Sequence, residues 1–375
     1  MKHIVKNPAT IGVDLAKSMM HLHALDKQGS TLWKKTLKTE ELVTFLKQLD
    51  SCLIGIEACG GSHYWHRTLS LLGHTVHMIS PLRVKAFVEG QKNDKNDAAA
   101  IANAVINRQT RIVPPRTIRQ QEISSLHTMR GLKIKQRTQI MNHMRGMMNE
   151  YGLSCRIGAV WFENNVQKLI ENAEKENIFF PKLVMEDLLI QVKDLHIIKK
   201  RIQDVEKHLL EISREDKCQR LMTIPGIGIL ISTLLWGYAG NVDYYETGRD
   251  FAASIGLVPR QYSTGGKQIY GRISKRGSKD LRSNLIQGAR SVLMSGLKRR
   301  KNNKPPNSSL MEWALRCYDR KGMNKAAIAV ANKIARMAWK ILKTEGMIFI
   351  PHKKEEKKAE EENQPDKKIS LTEKI

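Results

Sequence analysis

The chain is 375 residues long, enough for two or more domains with sizeable cores. Its 63 Lys and Arg against 37 Asp and Glu leave a formal charge of +26, which points to a polyanionic partner. No apolar run approaches the roughly 20 residues of a bilayer span, and the opening MKHIVKNPAT has no apolar signal core, so no membrane partner and a cytoplasmic location are expected. The cysteines, Cys52, Cys59, Cys155, Cys218 and Cys317, contain no C-x-x-C pair and support neither a zinc ribbon nor a disulfide framework.

Residues 1–115 alternate short apolar runs with helical stretches. TIGVDLA reads as a buried strand, MMHLHAL as a second with two-residue alternation, and DKQG as the turn into a third, STLWKKTL. A helix is expected from Thr39 as its N-cap, with Leu42, Phe45, Leu46 and Leu49 facing inward. SCLIGIEA is a fourth strand, His63 to Leu72 a helix ended by Gly73, HTVHMIS a fifth strand stopped by Pro81, and KNDKNDAAAIA opens a further helix. The order β-β-β-α-β-α-β-α is that of a ribonuclease H-like domain. Asp94 and Asp97 stand one helical turn apart, as either a capped, dipole-favoured helix start or half of a magnesium site. Asp14 and Glu57 are acids within otherwise apolar strands, where an unpaired carboxylate is strongly disfavoured. In a ribonuclease H-like sheet those two places are neighbours facing the helix after the fifth strand. Four carboxylates would then converge, enough for one or two Mg²⁺; a buried salt-bridge cluster is the alternative.

Residues 116–215 read as long helices. Leu188, Val192, Leu195, Ile198, Ile202, Val205, Leu209 and Ile212 follow one another at steps of three and four, a seam that suits a coiled coil pairing subunits. The alternative is an intramolecular hairpin against Ile134, Ile140, Met144 and Met147, and Pro181 should break or start a helix. In residues 216–350, expected to be mainly helical, LMTIPGIGILISTLLWGYAG has the form of a helix-hairpin-helix, whose Gly226 and Gly228 would let backbone amides reach a phosphate; a plain helical hairpin could use the same glycines. Residues 252–304 carry thirteen Lys or Arg and one acid, Asp280. Within them Arg260, Lys267, Arg272, Lys275, Arg276, Lys279 and Arg282 stud a glycine-rich stretch, read as a phosphate-binding loop with steep salt dependence. Helices are expected over Leu310 to Arg320 and Lys325 to Leu342, and residues 351–375 form a charged tail expected to be disordered.

Several of these stretches together have a familiar form. GVDLAK around Asp14, IEACGGSHYW after Glu57, KNDKNDA, IPGIG, and GLVPRQYSTGGK followed by GRISKRGSKDLR resemble the DEDD-type insertion-sequence transposases, in the same order over roughly residues 8–345. The resemblance implies an α/β RuvC-like amino-terminal domain and a carboxy-terminal transposase domain. It further implies a DNA recombinase that moves its own element, with Asp14, Glu57, Asp94 and Asp97 as a Mg²⁺-binding quartet. Partners so implied are DNA, a structured guide RNA of the bridge type and further copies of the chain, as a dimer or tetramer. A serine nucleophile is implied just ahead of the glycines that follow GL-x-P. Counting from Pro259 puts Thr264 opposite that serine, whereas Ser263 offers the less hindered primary hydroxyl and is preferred. The competing readings are a metal-dependent RuvC-like nuclease without covalent chemistry, a non-catalytic nucleic-acid-binding protein, and a sugar kinase or actin-like ATPase.

Overall fold

The computed structural model describes residues 7–88, 94–173 and 179–351; the side chain of Asp94 and the charged tail from His352 lie outside the described residues. The chain divides into two compact units. The first holds the residues up to Thr117 with Ala239–Tyr244, and the second holds Ile118–Tyr238 with the residues from Tyr245 on.

The first unit is built on a five-stranded sheet in the order β3-β2-β1-β4-β5, with β1 Thr10–Asp14, β2 Met19–Leu25, β3 Thr31–Lys38, β4 Leu53–Glu57 and β5 Thr75–Ile79. β1, β2 and β3 pair antiparallel, whereas β4 is parallel to both β1 and β5. This is the mixed sheet expected of a ribonuclease H-like domain. Alternation along the strands sorts side chains onto two faces. Ile11, Val13, Ile54, Ile56, Val76 and Met78 form one buried core with Leu42 and Leu46 of α1 (Glu41–Leu46) and Leu69 of α2 (Ser62–Leu71). A short helix α3 (Pro81–Val84) follows β5, and the opposite face receives α4 (Asp94–Ile106), whose Ala100, Ile101 and Ala104 pack with Ile79. α4 can sit close because Gly12 and Gly55 lie beneath it. A Cβ at Gly12 would fall 2.2 Å from the Ala98 carbonyl oxygen, and one at Gly55 would fall 2.9 Å from Val105 Cβ. One expectation fails: α1 is preceded by Glu40 as its N-cap, because the Thr39 hydroxyl is turned to the Lys17 carbonyl at 3.2 Å.

In the second unit α5 (Ile118–Glu150), α6 (Ala159–Glu171) and α7 (Lys182–Ile212) pack together, with Pro181 at the N-cap of α7. The apolar seam of α7 is consumed within the chain. Leu188, Val192 and Leu195 meet Met141, Met144 and Met148 of α5 and Phe162, Val166 and Ile170 of α6. Leu209 and Ile212 meet Ile123 of α5, Cys218 of α8 (Asp216–Met222) and Trp236 of α9 (Ile229–Ala239). The seam is therefore that of an intramolecular hairpin, and its burial on α5 removes the apolar drive that a pairing of subunits through it would need. Glu163 is buried between α5 and α7, 3.5 Å from Arg137 and 3.7 Å from Lys199.

The remainder is helical with one exception. α10 (Gly248–Ser254) begins in a capping box of Thr247 and Asp250, and α11 (Lys279–Lys301) begins at Ser278, whose hydroxyl accepts from Leu281 N. α12 spans Ser309–Lys343 with a break at Gly322 (φ 70°, ψ 173°), where two separate helices were expected to part. Between α10 and α11 stands a two-stranded ribbon, β6 (Pro259–Thr264) and β7 (Lys267–Ile273).

Candidate active site and nucleic-acid interface

β1 and β4 stay in register from Thr10↔Leu53 to Val13↔Ile56, so the next step on the two strands is Asp14 and Glu57. Residues at one step of neighbouring parallel strands share a face and lie about 5 Å apart. Two positions back on that face are Gly12 and Gly55, which α4 touches, so both acids lie on the α4 side. The direction of α4 follows from its two ends. A Cβ at Gly29, in the turn after β2, would touch Ile106 Cδ1 at 3.9 Å, and Leu25 at the end of β2 pairs with Thr10 at the start of β1. Ala98 meets Gly12 further along β1, so α4 runs antiparallel to β1 and its first turn, with Asp97, comes to the end of the sheet where Asp14 and Glu57 stand.

Asp14, Glu57 and Asp97 are each partly buried. Cys59, an exposed thiol two residues beyond Glu57, is pushed above its ordinary pKa by desolvation first, then by the charge of Glu57 and that of Asp14. One thiol responding to both carboxylates places them in a common field. Such adjacent acids are stabilised by a cation, and an all-oxygen donor set suits a hard divalent one. Among the described residues no group of three or more His, Cys, Asp or Glu side chains is gathered closely enough to hold a metal ion; the fourth expected donor, Asp94, has its side chain outside them. Two neighbours escaped sequence reasoning. His21 is the cross-strand partner of Asp14, as the alternation of MMHLHAL could have suggested, and Cys59 follows Glu57 after a sharp turn.

The basic glycine-rich stretch, expected as an open loop, is the β6–β7 ribbon. Gly265 (φ 52°) and Gly266 (φ 77°) form its two-residue turn, a conformation that favours glycine at both places. Register pairs Gln261 with Tyr270, Tyr262 with Ile269, Ser263 with Gln268 and Thr264 with Lys267. One face therefore carries Gln261, Ser263, Gln268 and Tyr270, and the other carries Tyr262, Thr264, Lys267 and Ile269. The two candidate hydroxyls stand on opposite faces. Gln261 Nε2 donates to Ser263 Oγ at 2.8 Å, and the Tyr270 hydroxyl donates to Gln268 Oε1 at 2.8 Å.

Arg260, Lys267, Arg272, Lys275, Arg276 and Lys279 are exposed. Arg282, expected among the phosphate ligands, is 8% exposed and donates through Nη1 to the carbonyls of Ile255 at 2.9 Å and Arg276 at 3.1 Å. Its task is to tie the root of the ribbon to the end of α10. Arg282→Met should lower stability by about 1–3 kcal/mol, because buried carbonyls lose a charged donor. Thermal unfolding checks this. In nucleic-acid binding, Lys267→Ala should reduce the slope of log affinity against log salt by about 1, whereas Arg282→Met should leave it unchanged.

The helical hairpin of α8 and α9 is present, but its first glycine serves packing. A Cβ at Gly226 (φ 89°) would fall 2.6 Å from the Gly288 carbonyl oxygen of α11, so contact with a helix backbone already requires a small residue here. Gly228 is exposed with open space around it and keeps the expected opportunity.

Two family models match the chain. One, described as a transposase and belonging to the DEDD transposases of the IS110 type, matches residues 11–153, a span that contains Asp14, Glu57, Asp94 and Asp97. The other, described as "Transposase IS116/IS110/IS902 family", matches residues 218–304, which contain the α8–α9 turn and the ribbon. The transposase for insertion sequence element IS1328 of Yersinia enterocolitica is 38% identical over 345 residues, covering 92% of this chain and 99% of that protein. The transposase for insertion sequence element IS1111A of Coxiella burnetii is 34% identical over 339 residues, covering 90% of each. With both halves of the pattern matched and identity sustained over nearly the full length, the chain belongs to the IS116/IS110/IS902 family of transposases.

Proposed function

We propose that this transposase cuts and rejoins DNA strands with a magnesium-binding set of carboxylates and a serine nucleophile. The observation that carries the first half is that Asp14 and Glu57 each stand one residue beyond Val13↔Ile56, the last register pair of the neighbouring parallel strands β1 and β4. Asp14, Glu57 and Asp97 would hold Mg²⁺, with Asp94 as the fourth member implied by the family pattern. When bound, the ion polarises the phosphodiester and stabilises the attacking and leaving oxygens.

The second half rests on the ribbon. The amide of Gln261 occupies a lone pair of Ser263 Oγ and so fixes where that oxygen sits. Attack would form a P–Oγ ester and release a DNA hydroxyl, which takes up the proton that the serine loses. The ester keeps the bond energy needed to rejoin strands. Arg272 on the same ribbon would offset the charge gathering on the phosphate. A structured guide RNA and a homo-oligomer belong to the same proposal by family likeness.

Trapping the protein on DNA tests the covalent step. Wild-type protein denatured during reaction with DNA carrying the ends of its element should yield a protein–DNA adduct, absent in Ser263→Ala and present in Thr264→Ala. The reverse pattern would move the nucleophile to Thr264. Cleavage by the wild type with no adduct at all would favour a metal-dependent nuclease.

A further inference from the structure

The β6–β7 ribbon leaves large apolar side chains in water. Tyr262 and Ile269, a cross-strand pair on one face, are each 58% exposed. A lone two-stranded ribbon is marginal in water, and exposed aromatic and aliphatic pairs on one gain stability only when something covers them. Gly271 shapes the pair further. A Cβ there would stand 3.2 Å from Tyr262 Cε2, so the missing side chain lets the tyrosine ring lie diagonally across the ribbon, with its outer side open.

The surrounding charge identifies the occupant. From residue 251 to residue 279 the chain contains six cations and no acid, with Arg260 and Lys267 on the face of the tyrosine itself. A flat aromatic ring among cations suits a polyanion that also offers flat apolar faces, which describes nucleic acid. Base faces are hidden in a duplex and open in a separated strand, and any enzyme that exchanges DNA strands passes through unpaired bases. We propose that the Tyr262–Ile269 face is a stacking platform for unpaired DNA bases. It leaves the opposite face, with Ser263 and Gln261, uncovered. The inference rests on the DNA substrate of the family and does not require the serine chemistry.

The test measures equilibrium binding of full-length protein to a mixed-sequence single-stranded DNA, its duplex and the RNA of the same sequence, across a salt series. Tyr262→Ala should weaken single-strand binding about tenfold or more, since each stacked base contributes on that scale. The salt slope should not change, because the cations stay seated on a folded ribbon. Tyr262→Phe should restore affinity, and Gly271→Val, which displaces the ring, should reproduce the loss. An unchanged affinity, an equal loss on the duplex, a loss confined to RNA, or a loss that comes with a lower salt slope would each overturn the platform. So would a change in self-association, measured by sedimentation, in place of a change in DNA binding. Binding curves and adduct yield are separate readouts, so platform and nucleophile stand or fall independently.

Discussion

Glu57→Gln should lower DNA strand cleavage by about a thousandfold or more, the scale of several kcal/mol that a bound metal contributes to a transition state, while the protein stays folded and still binds DNA. Glutamine keeps the size and shape of the side chain at the end of β4, so the sheet loses nothing in packing. It also ends the repulsion between Glu57 and the carboxylate of Asp14 at the end of the neighbouring strand β1. What disappears is one charge and one oxygen donor of the proposed magnesium set. Wild-type protein should therefore gain thermal stability on addition of Mg²⁺, and the variant should gain less. The exposed thiol of Cys59 gives an independent electrostatic check. Nearby negative charge raises a thiol pKa, so removing that of Glu57 should bring Cys59 down towards its ordinary value, leaving the parts due to desolvation and to Asp14. At a given pH below that value the variant then holds more thiolate and is alkylated faster. A variant that cleaves at nearly the wild-type rate would remove Glu57 from the chemistry, whatever Cys59 does.

How far these features were legible in the sequence depends on what kind of information each needs. Strands announced themselves wherever apolar alternation ran between turn residues, and MMHLHAL forms β2 over the span expected. Asp14 and Glu57 stood out because a charge inside an apolar strand contradicts its own surroundings. The heptad seam of α7 states that a helix requires an apolar partner, but spacing alone is silent on whether that partner is in the same chain. Here α5 supplies it. Gly226 and Arg282 are ambiguous for a related reason. A glycine that admits a phosphate and one that admits a helix backbone are the same letter, and so are an arginine aimed at DNA and one aimed at three neighbouring carbonyls. The Gly-Gly turn of the ribbon is a hairpin signal between alternating residues, but the cations packed around it equally suit a phosphate-binding loop, so charge masks the strand pattern there.

Gly12→Ala should cost about 3 kcal/mol or more and should abolish cleavage as well, although it touches no carboxylate. The new methyl carbon would lie 2.2 Å from the Ala98 carbonyl oxygen and 2.4 Å from Ala102 N, and both are backbone atoms of α4 that no rotamer change can move aside. The helix must lift from the sheet. When it lifts it uncovers the small apolar cluster of Ile79, Ala100, Ile101 and Ala104, and it carries Asp97 away from the strand ends where Asp14 and Glu57 stand. Gly131→Ala in the middle of α5 is the matched control: a Cβ there meets nothing within 4 Å, and replacing glycine inside a helix should add up to about 1 kcal/mol. Thermal unfolding should thus move in opposite directions for the two variants, and hydrogen exchange should speed up in α4 of Gly12→Ala ahead of the rest of the first unit. Wild-type protection of α4 in that variant would show that the helix does not depend on the glycine. If protection is lost and cleavage with it, the acids on the strands act only while α4 lies against them.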